Sequence, residues 1–142
     1  MKAGTIILFL FLAAGAFAQE KSEREKRVGA GEVPQLALEW LDDAYESARR
    51  VRWYYEETSG LKSYEAKLRW KGDVHSVEFD TTGIIQDIEI SIQWKELPGN
   101  VQQNIMSYLD STFQKHKVQK IQKQWTGAPG DLEDLIDEGE HE

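Results

Sequence analysis

The chain has 142 residues, with 17 Lys and Arg against 25 Asp and Glu, a formal net charge of −8 and no cysteine. This length fits a single domain, and the acidic balance argues against DNA or RNA as a partner. Because cysteine is absent, a disulfide framework, a thiolate nucleophile, a cysteine-ligated metal site and a lipid on an N-terminal cysteine are excluded.

Residues 1–18 have the pattern of a secretory signal peptide. Lys2 gives a positive start, an apolar run covers 6–17, and Ala16-Phe17-Ala18 has the small-x-small form that signal peptidase cleaves. The run is shorter than the roughly 20 apolar residues that span a bilayer. We therefore expect cleavage after Ala18 and export to the periplasm or the medium, with no membrane span after cleavage.

Two charged segments flank the central part of the chain. Segment 19–32 has Val28 as its only sizeable apolar side chain, which predicts a flexible charged leader. Segment 128–142 is predicted to be an acidic tail, with seven acidic residues and no Lys or Arg from Asp131 onward. The tail also holds Leu132, Leu135 and Ile136, which could form one weakly docked helical turn. The domain is predicted to occupy 33–127.

A helix is predicted to open this domain and to run to about Arg50. Pro34 stands in the first turn, where a missing N–H costs nothing. A period of 3.6 residues then gathers apolar side chains on one side. That side consists of Ala37, Trp40, Leu41, Ala44, Tyr45 and Ala48.

The period next changes to two, which predicts four strands joined by short turns. Val51, Trp53 and Tyr55 alternate with polar residues in the first strand. The second strand, 64–70, alternates most clearly, and strands over 74–80 and 84–92 follow it. Turns are expected at 58–60, 71–73 and 80–83. Four consecutive strands with short turns predict an antiparallel meander.

The helix start then recurs at Leu97-Pro98. The apolar side of this second helix consists of Val101, Ile105, Met106, Leu109 and Phe113, and an extended stretch follows over 118–125. A shift of 65 residues aligns Leu36 with Val101 and Trp40 with Ile105, which indicates a partial internal repeat. The predicted fold class is α+β: a helix packed on an antiparallel four-stranded meander, then a second helix and strand, with both helices on one face.

The order of these motifs resembles the PepSY-like domains of exported Bacteroidetes-type proteins, also described as β-lactamase-inhibitor-like. The motifs are Val33-Pro34, Val51-Arg52-Trp53, Tyr64-Glu65-Ala66, Val77-Glu78-Phe79-Asp80 with Gly83, and Leu97-Pro98. The resemblance covers about residues 33–125 and implies an exported, noncatalytic domain with a helix packed on an antiparallel sheet, usually repeated. The chain departs from that pattern after Trp125, where no second meander follows.

No group of residues predicts catalysis, a metal site or a cofactor. His75 stands near Asp73, Ser76 and Asp80, but the three histidines lack metal-motif spacing and no Gly-x-Ser-x-Gly sequence is present. A lone strand histidine is usually a packing or surface residue. The Asp80-x-x-Gly83 segment lacks the ligand series of a calcium loop and is predicted to be a turn. We expect the protein not to be an enzyme.

The sheet face opposite the helices is the candidate binding site. If the apolar residues of the second strand pack under the helices, its charged residues project from the other face, with Arg52 and Tyr54 beside them. The predicted protein-contact residues are Arg52, Tyr54, Glu65, Lys67 and Arg69. The expected function is protein binding or inhibition, with another exported or envelope protein as partner.

Two alternatives to this function remain open. One is a protein that sequesters a small ligand, or a secreted hydrolase, with a pocket between helix and sheet. The other is an envelope-stress or scaffold domain without a fixed partner. Convergent polar groups inside an apolar pocket would favour the first alternative.

Overall fold

The computed structural model describes residues 7–12 and 23–139. Its strands are β1 (Ile7–Leu12), β2 (Glu23–Val28), β3 (Arg52–Thr58), β4 (Leu61–Trp70), β5 (Asp73–Asp80), β6 (Ile85–Ile92) and β7 (Val118–Thr126). Its helices are α1 (Gln35–Ala44), α2 (Gly99–Thr112) and α3 (Pro129–Asp137), with short 3₁₀ turns at Ala30–Glu32 and Trp94–Glu96. No helix in this part of the chain is both long enough and apolar enough to cross a membrane.

The strands form one antiparallel sheet in the order β1-β7-β6-β5-β4-β3-β2, which confirms the predicted α+β class with an antiparallel sheet. Strands β3 to β6 lie side by side in chain order. Trp53 pairs with Ala66, Ala66 with Val77, and Val77 with Ile88. This register places the apolar residues of four strands in one row on one face.

The helices α1 and α3 cover that face and form the main core with it. The central side chains of the row are almost fully removed from solvent, including Ala66, Val77, Phe79 and Ile88 at 0% exposure. Ala37 and Leu41 of α1 join the same core, as do Leu132 and Ile136 of α3. Trp40 contacts the Phe79 ring edge-on, with the ring centroids 5.8 Å apart.

Helix α1 ends at Ala44, about 1.7 turns before the predicted end near Arg50. Tyr45 follows the helix and is buried, and its ring lies edge-on to Trp70. Ser47 and Arg50 then take positive φ angles of 65° and 60°, in the left-handed region. Tyr45, with φ −114° and ψ 60°, ends the helix, and Ser47 and Arg50 then turn the chain towards β3.

The structure differs from the prediction in the segments that flank the domain. Strand β2 lies within the predicted leader and pairs with β3 from Glu23↔Thr58 to Val28↔Trp53. Helix α3 lies within the predicted acidic tail, and its Leu132, Leu135 and Ile136 are buried. Trp40 Nε1 donates a hydrogen bond to the Pro129 carbonyl oxygen at 3.1 Å and so ties α3 to α1. Residues 13–22 and 140–142 lie outside the described residues.

Strand β1 lies within the predicted signal peptide. Its backbone pairs with β7 from Ile7↔Gln124 to Leu12↔Val118 and forms one edge of the sheet. The predicted cleavage site after Ala18 lies outside the described residues.

Helix α2 buries less of its apolar side than the sequence predicts. Leu109 is its only buried residue, Val101 and Ile105 are partly buried, and Met106 is 37% exposed. No residue of α2 belongs to the main core under α1 and α3. The second helix therefore does not repeat the packing of the first.

Candidate functional site

The five predicted contact residues lie on the sheet face opposite α1 and α3, which is called the outer face below. In β3 and β4, Trp53, Ala66 and Leu68 point into the core, so their neighbours along each strand point outward. Arg52 pairs with Lys67, and Tyr54 pairs with Glu65. The predicted inward orientation of Trp53 agrees with its 5% exposure.

Lys67 is the centre of this group. Its Nζ lies 3.1 Å from Glu25 Oε1 and 3.0 Å from Glu65 Oε2, and it sits 4.5 Å from the centroid of the Tyr54 ring. Burial acts to lower the pKa of Lys67, but the hydrogen bonds and negative charges of Glu65 and Glu25 together raise it above its ordinary value. The ammonium group is therefore charged and held on three sides.

Arg69 lies near the end of β4, two residues beyond Lys67. Its Nη1 donates to the Gly72 carbonyl oxygen at 3.3 Å, within the turn between β4 and β5. The structure thus brings Tyr54, Glu65 and Lys67 into direct contact and pairs Arg52 with Lys67. Arg69 lines one cleft together with Arg52.

Three carboxyl groups converge beside Lys67. One oxygen from each of Glu25, Glu56 and Glu65 lies within 4.8 Å of the others, and these residues are called the carboxyl cluster. Burial raises the pKa of Glu56 to about 8, assisted by a hydrogen bond with Glu65 and by the charges of Glu65 and Glu25. The carboxyl group of Glu56 therefore keeps its proton at neutral pH. Because Lys67 already supplies a cation to two of the three carboxylates, we assign no metal to the cluster.

The acidic character of the outer face continues onto β5 and β6. Glu65 pairs with Glu78, and Glu78 pairs with Asp87. Burial, followed by the charge of Glu78, raises the pKa of Asp87 to about 7, although the Gln124 amide donates a hydrogen bond to Asp87 Oδ2 at 2.7 Å. Burial also raises the pKa of Glu89 on the same strand. A row of acids therefore runs across β4, β5 and β6.

Sequence reasoning missed most of these acids. Glu56 follows Tyr54 at a spacing of two, so strand alternation alone would have placed it on the outer face. Glu25 could not be found in this way, because the segment that carries it was predicted to be a flexible leader. The cluster depends on strand register, which brings Glu25 opposite Glu56.

The histidine and the turn singled out in the sequence have structural partners. His75 is fully buried, and its Nδ1 lies 3.0 Å from the Tyr45 hydroxyl oxygen as a hydrogen-bond partner. Asp80 Oδ1 accepts hydrogen bonds from the Thr82 N–H, the Thr82 hydroxyl and the Ile84 N–H. Gly83 has φ 94°, and a Cβ there would approach Ala37 N to 2.9 Å. These contacts explain the Asp80–Gly83 segment as a turn packed against α1.

An apolar hollow lies at the place that the small-ligand alternative requires. It has a volume of about 290 Å³ between the start of α1, the turn at Gly83 and the start of α3. Leu36 and Ile84 on its rim are 56% and 48% exposed. Its charged lining residues are Glu39 and Asp43, both exposed, so the hollow holds no buried group of convergent polar atoms.

Comparisons with protein-family models, with curated proteins and with solved structures found no match for this chain.

Proposed function

We propose that the chain is an exported, noncatalytic protein-binding module that contacts its partner through the outer face of the sheet. The observation that carries the proposal is the fixed position of Lys67 between Glu25, Glu65 and the Tyr54 ring. A free lysine side chain loses about 2 kcal/mol of rotamer entropy when a partner immobilises it. Here that ordering takes place on folding, so less of it opposes binding.

The composition of the outer face also favours a protein partner. A half-buried tyrosine lies among charged residues of both signs: Tyr54 pairs with Glu65 of β4 on one side and with Arg27 of β2 on the other, and Lys67 lies over its ring. Aromatic and arginine side chains supply much of the energy at protein interfaces, whereas surrounding charges mainly set orientation and association rate. A partner surface that presents both acidic and basic groups around an apolar centre would be complementary to the outer face.

The PepSY-like resemblance and the internal repeat are parts of the same proposal. A 3₁₀ turn precedes each of the two helices, at Ala30–Glu32 and Trp94–Glu96, and in each turn the last glutamate accepts a hydrogen bond from the backbone N–H three residues earlier. Val33 and Leu97 then follow, both 7% exposed, and each precedes a proline that caps its helix. This shared sequence of 3₁₀ turn, buried apolar residue and capping proline supports a common origin of the two helical segments.

Export of the chain is likewise a proposal, and it changes the sheet. Cleavage after Ala18 would remove β1, so β7 would become an edge strand of the mature protein. Mass spectrometry of the protein recovered from the cell envelope or medium measures the cleavage directly. A mature chain that begins at Gln19 is expected, and recovery of the full chain inside the cell would contradict export.

The contact face can be tested with two matched double variants. Tyr54→Ala with Lys67→Ala alters the centre of the outer face, whereas Tyr108→Ala with Lys115→Ala removes the same two side-chain types from exposed positions on and after α2. A partner is first captured from the cell envelope, then purified, and its dissociation constant is measured for each variant. Circular dichroism checks that each variant is folded.

We expect the outer-face variant to weaken binding at least about tenfold, because central aromatic and charged contacts dominate interface energy. The α2 variant should bind as the unaltered chain does. Equal binding by both variants would place the interface elsewhere, and turnover of a substrate by the purified protein would contradict the noncatalytic function.

A further inference from the structure

A cleft lined by arginines opens at one corner of the sheet. Five of its lining residues are arginines, and the others are Val51, Leu68 and Val74. The cleft has a volume of about 670 Å³, within the range of small-molecule sites. The five residues that define this arginine cleft are Arg27, Arg49, Arg50, Arg52 and Arg69.

These arginines come from three separate segments of the chain, at positions 27, 49–52 and 69. Arg27 lies at the end of β2 and pairs with Tyr54, whereas Arg69 lies at the end of β4 and pairs with Val74. Arg52 begins β3, and Arg49 and Arg50 lie in the loop before it. The left-handed backbone at Arg50 is uncommon for a residue with a side chain. Because Arg27 and Arg69 join the 49–52 stretch from two other strands, the cleft is more than a local run of basic residues.

The cleft has a large uncompensated positive charge. Its lining contains no Asp or Glu, although the whole chain has a formal net charge of −8. Among the described residues, no carboxylate lies within 4 Å of any of these five guanidinium groups, since the ion pairs found involve Lys67 and His116. Lys67, in contrast, contacts two carboxylates. Five neighbouring cations repel one another, and an anionic ligand would relieve that repulsion.

The side-chain chemistry identifies the class of anion. A guanidinium group presents planar pairs of N–H donors that match two oxygens of a phosphate group. One carboxylate would neutralise a fifth of the charge, whereas a compact compound with several phosphate oxyanions could neutralise most of it. The buried Leu68 and the partly buried Val51 and Val74 supply the apolar part of the lining.

We propose that the arginine cleft is a binding site for a multiply charged phosphate compound, free or carried on a lipid headgroup. The proposal goes beyond protein binding by the outer face and does not depend on it. Arg27 and Arg49 line the cleft but are not among the five predicted protein-contact residues, so their replacement leaves those five residues unaltered.

The test uses titration calorimetry of the folded chain with inorganic tripolyphosphate. The variant Arg27→Gln with Arg49→Gln removes two charges from the cleft. Its matched control, Arg24→Gln with Lys26→Gln, also removes two positive charges. Both residues lie in β2, as Arg27 does, and both are exposed and do not line the cleft. Phosphatidylcholine vesicles with and without phosphatidic acid form a second arm, and a peptide of residues 131–142 provides a carboxylate probe.

We expect tripolyphosphate binding to weaken about tenfold or more in the cleft variant and to change little in the control, because each lost guanidinium removes charge-assisted hydrogen bonds. Vesicle binding that requires phosphatidic acid and is lost only in the cleft variant would support the site and assign its ligand to a lipid. Equal weakening in both variants, tighter binding of the acidic peptide than of tripolyphosphate, or no binding of any phosphate probe would overturn the proposal.

Discussion

The two faces of the sheet remove side chains from solvent by different means. On the face under α1 and α3, Val77 and Phe79 are fully buried among apolar and aromatic groups. On the outer face of the same strand, Ser76 is buried and Glu78 is partly buried within a row of acids. Apolar burial stabilises at any pH, whereas partly buried carboxyl groups stabilise or destabilise according to their protonation. The helix-covered face therefore provides most of the stability of the fold, and the outer face makes part of that stability depend on pH.

The largest expected loss of stability comes from removing a core ring, and the adjacent residue on the outer face provides the comparison. Phe79→Ala should destabilise the protein by ~3–5 kcal/mol, because the ring contacts Trp40 and Trp53 and its loss leaves a cavity. Glu78→Ala, one residue away on the outer face, should change stability by less than ~1 kcal/mol. Urea unfolding measures both values. Similar losses for the two variants would contradict the assignment of the faces.

A smaller effect is expected where α3 covers the core. Leu132→Ala should destabilise by ~2–4 kcal/mol, because Leu132 is fully buried against the same core as α1. Glu133→Ala, at the next position of the helix, provides the control, since Glu133 is only partly buried. Urea unfolding again provides the measurement. If Leu132→Ala changed stability by less than ~0.5 kcal/mol, α3 would not be part of the core in solution.

The sequence predicted the helix-covered face better than the outer face. Alternation from Tyr64 to Trp70 was enough to orient β4, because apolar and charged residues separate clearly at a period of two. The predicted end of α1 near Arg50 was wrong. The turn after the helix has Ser47 and Arg50 in the left-handed region, and neither is the glycine that usually marks such a position. Local patterns predict the core, because alternation within a single strand is enough to indicate which of its side chains are buried.

The outer face depends on contacts that no local pattern records. Strand β2 is rich in charge, and its pairing with β3 comes from backbone hydrogen bonds together with the contact between Glu25 and Lys67. The arginine cleft likewise combines residues from three segments of the chain, at positions 27, 49–52 and 69. The C-terminal helix was partly foreseen, because the spacing of Leu132, Leu135 and Ile136 gave one helical turn with an apolar side.

The smallest expected effect is a pH dependence that arises in the carboxyl cluster. Burial raises the pKa of Glu56 from 4.5 to about 8, so between these values the folded chain binds a proton that the unfolded chain releases. The free energy of unfolding should therefore decrease as pH rises through that window, with the decrease complete above the folded pKa. Asp87, with its pKa raised to about 7, contributes in the same direction at lower pH.

Glu56→Gln isolates this effect because glutamine keeps the shape of the protonated acid without the ionisation. Since Glu56 is partly exposed, solvent screening should leave about 1 kcal/mol of the decrease between about pH 5 and pH 8.5. The variant should be about as stable as the unaltered chain at the lower pH and more stable at the higher pH. Glu57→Gln, on the neighbouring position of β3, lies outside the carboxyl cluster and should keep the original slope. Urea unfolding across this pH range measures all three proteins. Parallel curves for Glu56→Gln and the unaltered chain would mean that Glu56 ionises normally and that the stability of the outer face is not conditional on this proton.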